Sequence, residues 1–211
     1  EVQRGEASKE SGGPRGAPPG GGRPESGSEE SPTKRTALWK VEDANDDTLQ
    51  FTIYYKGIDE TNWTLLKKEL NQPTYSWDTT SMADGRYLLK VEVTDKLSNP
   101  PSLAKATEKI SDPLEIDNTQ PTISNITGTA NGDGTYKITC TVEDAMSFIQ
   151  KAVYKIDSDE HWHAIFPADG IFDSKREVLL LQTEALPPGE HTITIMATDS
   201  AGNKAIGRGN F

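Results

Sequence analysis

Oxygen-bearing side chains crowd a few short stretches of the chain. Val142-Glu-Asp-Ala145 repeats Val41-Glu-Asp-Ala44 at an offset of 101 residues, and Asn45 and Asp47 follow the first copy. Asp199 and Asn203 bracket a later Asp-Ser-Ala-Gly-Asn run, and Asp117 and Asn118 open Asp117-Asn-Thr-Gln-Pro121. Carboxylate and amide oxygens brought together from loops are what calcium prefers, at about six to eight per ion. Asp117, Glu143, Asp144, Asp199 and Asn203, with Asn118 beside them, make one candidate calcium set. Glu42, Asp43, Asn45, Asp47 and Asp95 make the matching one. The same residue types at strand ends, and in Asp-x-x-Gly-Asn spacing, equally accept backbone N–H bonds inside turns. Two readings stand: an ion that stiffens a joint between domains, or turn caps and no cofactor.

The other reactive residue types read as structure. Cys140 alternates with Tyr136, Ile138 and Val142 and aligns with Trp39 across the repeat, which makes it a space-filler in a core. As the single cysteine, it has no partner for a disulfide. His161 and His163 flank Trp162 on what would be the outer face of a strand. Zinc takes at least three protein ligands, and with no third His or Cys assignable the two imidazoles read as solvated. Tyr75 and Trp77 align with Leu179 and Leu181, and Trp63 with Trp162, so these rings are expected in the cores rather than stacked on a sugar. Tyr54, Phe148, Phe166 and Phe172 remain loosely placed. Gly-x-Ser-x-Gly, His-Glu-x-x-His, a phosphate-cradling Gly-Lys-Ser/Thr loop and Gly-x-Gly-x-x-Gly do not occur, so no enzyme is expected. Asn62-Trp-Thr64 and Asn125-Ile-Thr127 fit the N-glycosylation sequon.

Bulk properties narrow the class. A formal net charge of −11 with no basic stripe argues against a nucleic-acid or anionic-membrane partner, because phosphates need clustered Lys and Arg. No run approaches the roughly 20 apolar residues of a membrane span. Hydrophobic residues make up only 33%, beside 18 Gly and 13 Pro, which is low for one large α/β enzyme and ordinary for small sandwiches with a soft segment. The chain starts without Met or a signal peptide, so it reads as a processed piece of something longer.

The elements that must position these residues are short strands. In Gly85–Asp95, Tyr87, Leu89, Val91 and Val93 alternate with Leu88, Lys90, Glu92 and Thr94, the period of two that a half-buried strand requires. In Gly189–Asp199 the inner positions fall to His191, Ile193, Ile195 and Ala197. Further strands are expected at Thr36–Glu42, Leu49–Lys56, from Trp63 and from Tyr75, with a poorly patterned edge strand from Leu103 to Ile116 after the break at Asn99-Pro-Pro101. Residues 118–211 repeat the order. A period near 100 residues means two complete domains, at 35–117 and 118–211, each an antiparallel two-sheet sandwich. Residues 1–34, rich in Gly, Pro and Ser and, counted through Arg35, carrying six acidic and six basic side chains, read as a disordered linker or as an insertion after a first strand at Glu1-Val-Gln3.

Leu186-Pro-Pro-Gly-Glu-His191 followed by Ala197–Asn203, and Trp77-Asp-Thr-Thr80 followed by Asp84-Gly-Arg-Tyr87 and Thr94-Asp95, resemble fibronectin type III and bacterial immunoglobulin-like modules. The resemblance covers about Thr36 to Phe211. In that family a Tyr at the start of the sixth strand closes a corner through its hydroxyl; Tyr87 fits and His191 departs from the pattern. The junction Ile116–Pro121 resembles linkers between such modules in large secreted bacterial proteins. The resemblance implies a non-catalytic spacer or assembly module of a secreted, surface or periplasmic protein, working beside other domains of the same polypeptide. The alternative it implies is a binding module for a glycan or protein partner.

Overall fold

The computed structural model describes residues 33–211. The expected N-terminal linker or insertion, with Glu1-Val-Gln3, lies outside the described residues up to residue 32. Every regular element described is a strand: β1 (Lys34–Leu38), β2 (Gln50–Gly57), β3 (Thr64–Leu70), β4 (Thr74–Asp78), β5 (Gly85–Thr94), β6 (Ala106–Ile110) and β7 (Leu114–Ile116) form the first half. The second half holds β8 (Thr122–Ala130), β9 (Tyr136–Glu143), β10 (Ile149–Ile156), β11 (His163–Pro167), β12 (Arg176–Gln182), β13 (Thr192–Asp199) and β14 (Lys204–Asn210).

Strand pairing stays within each half, so the described chain is two antiparallel sandwiches. In the first, among the described residues, β1 pairs with β4, facing a sheet ordered β3-β2-β5-β6 with β7 on the far end of β5. In the second, β14-β13-β10-β11 and β12-β9-β8 take the same relative order, joined where β11 also pairs with β12. Alternation decides what is buried: Ile138, Cys140 and Val142 of β9, Leu179 of β12, and Ile193, Ile195 and Ala197 of β13 close one continuous core. In the first sandwich Phe51, Ile53, Trp77 and Leu89 are buried.

The strand ends differ from the sequence expectation for local reasons. The strand expected at Thr36–Glu42 stops at Leu38: the Trp39 N–H donates to the Pro73 carbonyl at 3.1 Å, and Pro73 has no N–H to return. The edge strand expected from Leu103 to Ile116 is split into β6 and β7. Between them Ser111 turns inward; its Oγ accepts the Leu89 N–H at 3.0 Å and donates to the Asp112 carbonyl at 2.7 Å, just before Pro113.

Two features tighten the sandwiches. In the second, β8 lies directly against β14: a Cβ added at Gly207 would sit 2.7 Å from Ile123 Cγ2, and one at Gly209 2.6 Å from Ile126 Cγ2, so only glycine permits this approach. Corners form in both halves. The Tyr87 hydroxyl donates to the Ala83 carbonyl at 2.8 Å, four residues back, and His191 Nε2 donates to the Pro187 carbonyl, also four residues back and also at 2.8 Å. The histidine therefore takes the tyrosine's place in the second corner. Its Nδ1 meets Asp157 Oδ2 at 2.7 Å, so an acceptor faces each ring nitrogen, an arrangement that favours the doubly protonated ring. The Asp157 hydrogen bond, followed by the Pro187 carbonyl, raises the His191 pKa above that of an ordinary imidazole.

Candidate functional site

Three chain segments meet where the first sandwich hands over to the second. Asp117 follows the last residue of β7, Asp144 follows β9, and Asp199 ends β13, so strand termini aim all three side chains at one point. A ligand atom from each lies within 4.8 Å of the others. All three residues are buried, at 3% exposure for Asp117, 5% for Asp144 and 0% for Asp199. Gly202, at φ +97°, turns the β13–β14 hairpin so that Asn203 comes back over Asp199.

Hydrogen bonds account for most of these oxygens. Asp199 Oδ1 accepts the Asn203 N–H at 2.8 Å and Oδ2 accepts Asn203 Nδ2 at 2.9 Å, while the same Nδ2 donates to the Asp117 backbone carbonyl at 3.1 Å. Asp117 Oδ1 accepts the Thr119 N–H at 3.1 Å and Oδ2 accepts the Ser147 hydroxyl. Asp144 Oδ1 accepts the N–H groups of Met146 and Ser147 at 2.8 and 2.7 Å. Asp144 Oδ2 is enclosed and has no hydrogen-bond partner. Leaving a buried polar atom unmet costs about 1–3 kcal/mol, more for a charged group.

The electrostatics are also unbalanced. Two negative charges within 4.8 Å of each other repel by roughly 3 kcal/mol or more in a partly screened protein environment. None of the ion pairs among the described residues involves Asp117, Asp144 or Asp199. Burial, foremost, pushes the Asp117 carboxyl above the usual carboxylate range; the Ser147 and Thr119 hydrogen bonds pull it back and the neighbouring Asp144 and Asp199 charges add to the rise. An oxygen-rich site of this charge can hold a proton or a hard cation.

The structure does not bring every expected residue to this point. Glu143 is exposed on the last position of β9, its Oε2 3.7 Å from Arg176 Nε on the neighbouring strand, and it is not part of the cluster. The β9 alternation that buries Ile138, Cys140 and Val142 already sends Glu143 outward. Asn118 faces the other sandwich: its N–H donates to Asp84 Oδ1 at 2.7 Å, and its Nδ2 to the carbonyls of Thr79 and Met82 at 2.9 and 3.0 Å. Ser147 belongs to the site and was not among the expected residues; the run Asp-Ala-Met-Ser, an Asp followed by a hydroxyl at the third position, carries the signal. The matching set in the first sandwich does not assemble. Asp43 Oδ1 caps the N–H groups of Asn45 and Asp47 at 3.0 Å each, Asp47 Oδ2 accepts Asn99 Nδ2, Asp95 Oδ1 accepts the Lys105 N–H at 2.6 Å, and exposed Glu42 pairs with Lys40.

Cys140 is buried in the second core, where burial pushes its thiol up to about 11. His161 is exposed and His163 Nε2 meets Asp159 Oδ2 at 2.7 Å. Trp77 is buried as expected. Trp63 and Trp162 are not in the cores: each lies on an outer face under a lysine, with Lys56 Nζ 5.3 Å from the Trp63 ring and Lys155 Nζ 5.2 Å from the Trp162 ring. Lys90, near the Tyr54 and Trp63 rings, also pairs with Glu92 and Glu108, which completes an outer polar face on the first sandwich.

With the strand order β14-β13-β10-β11 against β12-β9-β8, its counterpart in the first half, and a hydroxyl or imidazole corner in each, the fold is that of fibronectin type III/immunoglobulin-like β-sandwiches. No protein-family model matches the chain, and no curated protein matches it. Among solved structures, the crystal structure of chicken CNTN1 FN1-FN3 domains aligns with 85% of this chain and 62% of that chain, at 15% sequence identity and a TM-score of 0.41. The chain thus spans less than two thirds of that structure's length. No helix among the described residues is long and apolar enough to cross a membrane.

Proposed function

We propose that this chain is a non-catalytic structural module, a spacer or assembly element of a larger secreted or surface protein of bacterial type, whose partners are other domains of the same polypeptide. One observation carries this reading: the two adjacent junction residues are fastened to opposite sandwiches. Asn118 is tied to Thr79, Met82 and Asp84 of the first, and Asp117 to Ser147 and Asn203 of the second. A joint built this way holds two bodies in one orientation, which is what a spacer requires and a flexible tether does not provide. Residual dipolar couplings measured on both sandwiches would test it. One shared alignment tensor supports the rigid spacer, an Asn118→Gly variant is expected to split it into two, and independent tensors in the unaltered chain would sink the reading.

A second reading, a binding module for an extended protein segment, is favoured by the open side of the first sandwich. β8 lies beside β9 in the second sandwich, whereas among the described residues β1 has β4 alone as a strand partner. A groove of about 590 Å³ lies there, lined by Ala37, Trp39, Phe51, Leu89, Val91 and Val93, with Leu38 80% exposed at its rim. Its apolar lining suits a peptide segment with alternating apolar residues. Hydrogen exchange of the β1 amides that do not face β4 decides the point: rapid exchange leaves the edge open to a partner, and strong protection in the isolated full chain means it is already covered and removes this reading.

A further inference from the structure

We propose that Asp117, Asp144 and Asp199 bind one calcium ion at the joint between the two sandwiches. Asp144 points to a ligand most directly. Its Oδ1 is consumed by two backbone N–H groups, while Oδ2, on a residue 95% removed from solvent, has no donor. The nearest acidic neighbours, Asp117 and Asp199, can only accept hydrogen bonds when ionised, so they cannot satisfy it. The group is filled by a species that is positive, small and able to meet several oxygens at once.

The donor set selects among ions. Only oxygens converge; no His or Cys belongs to the group, which removes the ligands zinc and copper favour. Calcium holds oxygens at about 2.3–2.6 Å, so opposite ligands stand roughly 5 Å apart, and the 4.8 Å limit on this cluster fits within one such shell. Magnesium demands a near-ideal octahedron at about 2.0–2.1 Å and keeps several of its waters, which an enclosed group of three carboxylates suits less well than calcium's flexible shell. Second carboxylate oxygens and water complete a shell of six to eight. Asn203 serves as a positioning residue here, because its amide nitrogen bridges Asp199 Oδ2 and the Asp117 carbonyl. Since the three ligands come from the junction, the β9–β10 loop and the end of β13, the ion draws three segments together. That mechanical consequence rests on the spacer reading; binding itself does not.

The test uses the full chain, stripped with EDTA and dialysed, then titrated with CaCl2 in a calorimeter and in thermal melts, with MgCl2 in parallel. The expected result is one calcium per chain and a melting midpoint raised by roughly 5–10 °C at a hundred-fold excess over the dissociation constant, without a comparable magnesium effect. Asp144→Asn keeps the Oδ1 caps and removes one of three crowded charges. It is expected to abolish calcium uptake and to raise the calcium-free midpoint, whereas a mere folding defect lowers it. Glu143→Gln is expected to leave uptake unchanged. No heat and no midpoint shift at about 10 mM calcium, well above the weakest extracellular sites, overturns the proposal. So does undiminished uptake by Asp144→Asn, or an equal response to magnesium. Uptake together with two independent alignment tensors would sink the spacer and keep the ion; one tensor without uptake would do the reverse.

Discussion

The two sandwiches share a strand order and differ in how completely each is closed. The second has β8 pressed against β14 through Gly207 and Gly209, and its inner positions Ile193, Ile195 and Ala197 are fully buried. In the first, the same stretch of the inner strand offers Leu89, Val91 and Val93, of which only Leu89 is buried, and the last two face a groove. Among the described residues, one half therefore has a fully enclosed inner strand and the other a partly exposed one.

The largest test of that contrast is a matched pair of truncations. Ile195→Ala should cost about 4 kcal/mol, since it empties a fully enclosed site, and Val91→Ala at the equivalent position about 1 kcal/mol. Hydrogen exchange read separately in each half gives both numbers, and equal costs would break the comparison. Next comes the seal itself. Gly207→Val drives a side chain into Ile123 and should cost about 2–3 kcal/mol in the second half while leaving exchange in the first untouched.

The corners provide two smaller effects. Tyr87→Phe leaves the Ala83 carbonyl without its donor and should cost about 1 kcal/mol, equally at pH 6 and pH 8. The His191 corner should instead depend on pH. Its pKa is raised by folding, chiefly through Asp157, so its contribution is complete below the unfolded value of about 6.5 and fades as pH rises through the folded value. The melting midpoint of the second half is thus expected to drift downward above about pH 6.5. His191→Tyr, which rebuilds the other corner's chemistry, should flatten that drift; a slope unchanged by this substitution would show that the histidine is not its source.

How far the sequence discloses this arrangement depends on the range of the interaction. Alternation around Tyr87 and Ile193 is local, so the strands, their inner faces and the burial of Cys140 are legible directly. The convergence of Asp117, Asp144 and Asp199 could be anticipated because all three sit at strand ends that this topology brings to one pole. Glu143 was included with them through adjacency to Asp144, although a one-residue step along a strand reverses the face. The placement of Trp63 and Trp162 misled because lysine amines can cover a ring on the outside as well as a core can on the inside. The His191 corner was hidden because its two partners, Pro187 and Asp157, are 4 and 34 residues away, and nothing local announces the second.

Asn118 and Asp117 are neighbours whose side chains grip different bodies. A pull along the chain loads the two grips in series, so the weaker of them yields first. Under load the joint would give on one side before the other, and the relative strength of the Asn118 and Asp117 grips would set which body the linker stays with.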